Sequence, residues 1–120
     1  MKESDLRQVA MLVLPNGRRP FEQWLDGIRD NQTSSRIIVG ISKLQSGIGI
    51  TRSLGDEILE LKLDFGPGYR IYFALRGDDD VVLISGGDKN TQSKDIAKAR
   101  LMWAEFKDDG LPDEYLTSWH

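Results

Sequence analysis

The stretch from Leu59 to Ala74 constrains this chain more than any other. Leu59, Leu61, Leu63 and Phe65 alternate with Glu60, Lys62 and Asp64, the period of a half-buried strand. Gly66-Pro67-Gly68 then makes a turn, and Tyr69 to Ala74 return with Tyr69, Ile71 and Phe73 on one face and Arg70 and Tyr72 on the other. A β-hairpin of this register puts Lys62 and Arg70 on the same face, next to Glu60 and Tyr72. A second turn, Gly77 to Asp80, leads into Val81-Val82-Leu83-Ile84-Ser85, so the hairpin extends into a three-strand meander.

Helices flank the meander. Residues 6–14 read as a buried strand closed by Pro15-Asn16-Gly17. Pro20 suits a first helical turn, and Phe21, Trp24, Leu25 and Ile28 follow at amphipathic spacing. Thr33 or Ser34 is the expected cap of a second helix with Ile37, Ile41, Leu44 and Ile48 inward, ended by Gly47 and Gly49. After Gly86-Gly87-Asp88, Asn90 or Thr91 is the expected cap of a last helix that buries Ile96, Ala99, Trp103 and Phe106 and stops at Gly110-Leu111-Pro112. The order predicts an α+β domain of strand, helix pair, three-strand meander and helix, spanning 1–107, with 108–120 as a separate acidic tail.

Composition narrows the chemistry. The 120 residues suffice for one core, and 39% of them are hydrophobic. With no cysteine, disulfides, thiolate metal sites and thiol nucleophiles are excluded, which fits a reducing compartment. No leader and no membrane span is expected, so the expected location is the cytoplasm. The net charge is −3, but residues 108–120 hold four acidic side chains and no Lys or Arg; elsewhere 16 basic residues face 15 acidic ones. A near-neutral body lacks the broad basic bias of most nucleic-acid binders, so any such role depends on a local cluster.

The hairpin face offers one. Arg can hold a phosphate through two parallel hydrogen bonds, Lys supplies a point charge, and Tyr offers a flat face for base stacking. The bland alternative is a solvated face with Glu60–Arg70 and Lys62–Asp64 ion pairs, each worth about 0–1 kcal/mol. Paired glycines before a helix, Gly86 and Gly87, let a backbone approach a ligand, with Lys89 at the junction. His120, the sole histidine, is the last residue, and a run of acids in a turn such as Asp78–Asp80 is usually solvated, so no metal or cofactor is expected.

The segment from Glu60 to Phe73 around G-P-G-Y-R-I-Y-F, the G-G-D-K-N-T-Q of Gly86 to Gln92, and then Trp103 resemble the addiction-module killer proteins. These are HigB-type toxins of the RelE/ParE superfamily, here of the phage-derived Gp49-like group. Phe21-x-x-Trp24-Leu25 and Leu54-Gly55 match as well, so the resemblance runs over about residues 8–107. It implies a small antiparallel sheet with an N-terminal helix pair packed on it, and the toxin of a type II toxin–antitoxin system. The implied activity is a metal-independent, ribosome-dependent mRNA endoribonuclease that inhibits translation. The implied partners are a helix-turn-helix antitoxin, the ribosome and mRNA. Arg70, Lys62 and Lys89 fall on the family's catalytic basic positions. Arg52, in the loop before the hairpin, joins Tyr72 and Gln92 as an expected RNA contact. Glu60 stands where the RelE pattern has a basic residue. The competing expectations are a ParE-like DNA gyrase poison and a degenerate toxin kept as an antitoxin-binding module.

Overall fold

In the computed structural model, residues 7–49, 51–77, 80–108 and 113–119 are described. Asp78, Asp79, the expected stop at 110–112 and His120 lie outside them. The strands are β1 (Val9–Leu12), β2 (Thr51–Gly55), β3 (Ile58–Leu63), β4 (Tyr69–Arg76), β5 (Asp80–Asp88) and β6 (Leu116–Ser118). The helices are α1 (Pro20–Asp26), α2 (Asn31–Gln45) and α3 (Gln92–Asp108). All six strands form one mixed sheet in the order β2-β3-β4-β5-β1-β6, with β1 parallel to β5 and every other pair antiparallel. Among the described residues no helix is long and apolar enough to cross a membrane.

The alternation in the hairpin has a simple physical outcome. Leu61, Ile71 and Phe73 point to the face where Phe21 of α1 and Ile37, Ile41 and Leu44 of α2 pack with Val9, Met11, Val81 and Leu83. Gly40 lets α2 approach β3, because a Cβ there would sit 2.7 Å from a Leu63 methyl. The opposite face is not left to solvent, as a half-buried strand would suggest. α3 lays Ala99, Trp103 and Phe106 across Leu12, Ile58, Tyr72, Ala74, Val82 and Ile84, giving the sheet a second core. The central strands are therefore buried on both faces.

The start of α2 differs from the expected one, whereas α3 begins at Gln92, directly after the expected cap Thr91. Asp30, not Thr33 or Ser34, caps α2: its carboxylate accepts from the Thr33 hydroxyl at 2.6 Å and from the Gln32 N–H at 3.4 Å. The Thr33 hydroxyl and these amides hold the Asp30 carboxyl below its usual 3.8. Asp88 caps the 3₁₀ turn Lys89–Thr91 that precedes α3, accepting from the Asn90 N–H at 2.8 Å while Thr91 reaches back to the Asp88 N–H. An acidic side chain wins in both places because it meets the unpaired amides with a full negative charge.

Two strands were not expected. β2 pairs with β3 where the sequence suggests a loop, closed by a tight turn in which Asp56 and Glu57 take φ of 52° and 69°. β6 comes from the stretch read as an acidic tail and pairs with β1. Val13 N–H donates to the Tyr115 carbonyl at 2.8 Å, and the Trp119 ring meets Phe21 edge-on at 5.5 Å. Residues 113–119 thus add a strand to the sheet and pack side chains against both of its cores.

Candidate functional site

The site lies where α3 begins, on the α3 side of the sheet. Strand register arranges its side chains in two rows. In the first, Arg52 of β2 faces Glu60 of β3, which faces Tyr72 of β4, which faces Ser85 of β5. In the second, Lys62 faces Arg70 and Arg70 faces Gly87. A bulge between Tyr72 and Phe73 adds Ile84 to β5 and brings Ser85 opposite Tyr72. The first turn of α3 closes over these rows from above. A cavity of about 310 Å³ remains, walled by Arg52, Glu60, Lys62, Arg70 and Gln92.

Burial separates the charges. Glu60 and Arg70 are 3% and 7% exposed, whereas the Arg52 and Lys62 side chains are 62% and 46% exposed. Glu60 is fully engaged: Oε1 lies 3.2 Å from Arg52 Nη2, and Oε2 accepts from Gln92 Nε2 at 2.9 Å. The Glu60–Arg70 pair that the bland reading expects is thus replaced by Glu60–Arg52, while Lys62–Asp64 forms at 3.5 Å. Among the described residues, Nε and Nη1 of Arg70 have no hydrogen-bond partner, and neither do the Tyr72 and Ser85 hydroxyls. Buried donors left this way cost about 1–3 kcal/mol each, so such groups ask for an acceptor from outside.

Tyr72 corrects one expectation. Its ring is wholly buried beneath α3 and offers no face to a base. Burial first, and then the negative charges of Glu60 and Asp95, push its phenol well above the ordinary 10.0; Arg70 and Arg52 pull the other way. The unfolded chain loses this proton near pH 10 while the native state keeps it, so the contribution is complete below pH 10 and falls as pH rises above it, by about 1.4 kcal/mol per pH unit. Urea unfolding of Tyr72→Phe beside the native chain is expected to show a gain of about 1–3 kcal/mol at pH 8, from removal of the unpartnered hydroxyl, and a wider gap between pH 10 and 11, where only the native chain loses the tyrosine contribution.

The remaining expected residues divide. Lys62, Arg70, Arg52 and Gln92 come together, with Arg52 on the edge strand instead of a loop. Lys89 does not join them: it is exposed, outside the cavity walls, with its Cβ 3.5 Å from where a Cβ on Gly68 would be. The paired glycines admit the chain's own side chains, not a ligand. Trp24 lies against Gly86 on one face and Asp95 against Gly87 on the other. Asp95, held by the Thr91 hydroxyl at 2.5 Å, is the site residue that sequence reading misses; its signal was its place one turn after the Thr91 cap. Among the described residues no three His, Cys, Asp or Glu side chains gather where they could hold a metal ion.

Residues 23–105, which contain both rows and the start of α3, match the family described as phage derived protein Gp49-like (DUF891). The chain belongs to this family. Gp49-like proteins are a toxin-like, phage-derived family of the RelE/HigB-type group. An uncharacterized protein of Haemophilus influenzae is 40% identical to this chain over 87 residues, which cover 72% of this chain and 88% of that protein. The Gp49-like match leaves out β1 and β6 and spans the hairpin, most of the three helices and the cavity.

Proposed function

We propose that this Gp49-like chain is the toxin of a type II toxin–antitoxin module and a HigB-like member of the RelE/ParE superfamily. Its cavity binds an RNA phosphate for metal-independent cleavage of mRNA on the ribosome. Arg70 carries the reading: a buried arginine whose Nε and Nη1 have no partner among the described residues is one wall of a cavity flanked by two further cations. In the reaction, the 2′-hydroxyl gives its proton to a water molecule, no cavity side chain being assigned as base, and its oxygen attacks the adjacent phosphorus. The pentavalent phosphorane then collapses to a 2′,3′-cyclic phosphate, and the 5′-oxygen leaves with a proton. Charge builds on the non-bridging oxygens, where preorganised donors in a dry site contribute most, and this is the task assigned to Arg70. Lys62, half-exposed at the rim, orients the phosphate and hands a proton from its ammonium to the leaving oxygen. Lys89, outside the cavity, serves an adjacent phosphate. Glu60, with both oxygens occupied, anchors Arg52 and Gln92 and is not assigned as the base. A body so weakly basic cannot hold RNA by charge alone, which supports the ribosome as the partner that positions the message. A helix-turn-helix antitoxin is the partner expected to cover the surface.

Induced expression tests the reading. Growth arrest is expected, with messages cut inside coding regions and chromosomal DNA intact. DNA damage with intact mRNA would replace the nuclease by a gyrase poison. Normal growth with antitoxin binding retained would leave a degenerate binding module.

A further inference from the structure

Glu60 and Arg70 present a puzzle of their own. They occupy diagonal cross-strand positions on one face of the β3–β4 ladder and wall the same cavity. Side chains this long reach each other across such a diagonal. Both are more than nine-tenths buried, and Arg70 has two donors to satisfy. An ion pair between them is the obvious way to lower the energy, yet the Glu60 oxygens go to Arg52 and Gln92.

We infer that Gln92, with Arg52, is a positioning residue that holds the Glu60 carboxylate off Arg70 and so keeps Arg70 open to a phosphate. The inference rests on the reading of Arg70 as the anion-binding group and adds how its availability is controlled. Gln92 suits the task because its amide donates a hydrogen bond without adding a charge that would itself attract the phosphate. Its place is fixed: the Asp88–Thr91 capping box sets where α3 starts, and Gln92 is the first residue of that helix. Arg52 supplies the second grip from the edge strand, directly opposite Glu60. When the Gln92 grip is lost, one carboxylate oxygen is free and the acceptor nearest in kind to a phosphate oxygen is already inside the cavity. Glu60 then becomes an internal competitor for Arg70. If it occupied Arg70 nine-tenths of the time, the apparent phosphate affinity would fall about tenfold.

The test is titration of the full chain with inorganic phosphate at low salt, following the Arg70 side-chain Nε–H resonance by NMR. Gln92→Leu is expected to weaken phosphate binding about tenfold, and Gln92→Asn, whose amide is one methylene short, to fall between it and the native chain. Glu60→Gln removes the competitor and is expected to bind at least as tightly as the native chain. The deciding variant is Glu60→Gln with Gln92→Leu, which regains the affinity of Glu60→Gln alone. If the loss persists in the double variant, Gln92 touches the phosphate itself and the clamp is wrong. Unchanged binding in Gln92→Leu and Gln92→Asn, both with native spectra, overturns it as well. A native chain whose Arg70 resonance ignores phosphate overturns the Arg70 reading together with the clamp, whereas failure of the double variant alone leaves that reading standing.

Discussion

Arg70→Met is expected to give a protein that resists unfolding better than the native chain and no longer cleaves RNA. Arg70 is 7% exposed, and among the described residues its Nε and Nη1 have no partner. Its neighbours on the sheet are Lys62, Gly87 and Tyr72, with no carboxylate hydrogen-bonded to those two nitrogens. Each buried unsatisfied donor costs about 1–3 kcal/mol, and an apolar side chain of similar volume removes that cost. Methionine matches arginine in length as far as the guanidinium and adapts to irregular space. The expected gain is about 1–3 kcal/mol in urea, or a rise in Tm of about 4 °C per kcal/mol for a domain of this size. Cleavage should fall by about 10²–10³-fold or more, the usual cost of removing one transition-state donor. The two measurements constrain each other. A variant that is less stable than the native chain would mean that Arg70 is held by bonds and serves the fold. A stable variant that remains toxic would remove Arg70 from the mechanism.

The same residue shows how far the sequence could be read. The hairpin was legible because its alternation, its G-P-G turn and its return strand all specify one register, and Lys62 does face Arg70. Identifying Arg52 as the partner of Glu60 was out of reach. β2 is polar and almost wholly exposed, so it carries no periodicity, and it becomes a strand because β3 offers an edge to pair with. Tyr72 was placed on the correct face, but alternation cannot say that α3 covers that face, and its burial follows from Trp103 and Phe106 packing there. β6 was hidden by charge: the acids of the last stretch dominate its composition, while Tyr115, Leu116 and Trp119 make its contacts with β1 and the two cores. What failed in each case was a tertiary contact that no local pattern encodes.

Gly86 and Gly87 are adjacent and conformationally ordinary, yet substituting them is expected to produce two different failures. Neither is needed for a positive φ; each is needed for close approach on its own face of β5. A Cβ on Gly86 would lie 2.2–2.5 Å from three atoms of the Trp24 ring. That ring is rigid and sits among Phe21 at 5.7 Å and Tyr69 at 6.2 Å, so it cannot swing aside without moving α1. Gly86→Ala is therefore an overpacking substitution, expected to cost about 1–3 kcal/mol or more in urea. Trp24→Leu in the same chain makes room and is expected to return part of that loss, a coupling that a double-mutant cycle measures. A Cβ on Gly87 would lie 1.9 Å from Asp95 Oδ2 and 2.8 Å from its Cγ. Here the obstacle is the end of a short side chain that can turn away, at the cost of the Thr91–Asp95 hydrogen bond that fastens the first turn of α3. Gly87→Ala is thus expected to cost little stability but to displace Asp95 and the first turn of α3, and with it Gln92, and so to lose activity. Asp95→Ala alongside Gly87→Ala relieves the clash but not the loss of the Thr91 contact. Activity recovered in that pair would make the clash the sole cause, whereas activity still lost would identify the Asp95 tether itself as what holds Gln92 over the cavity.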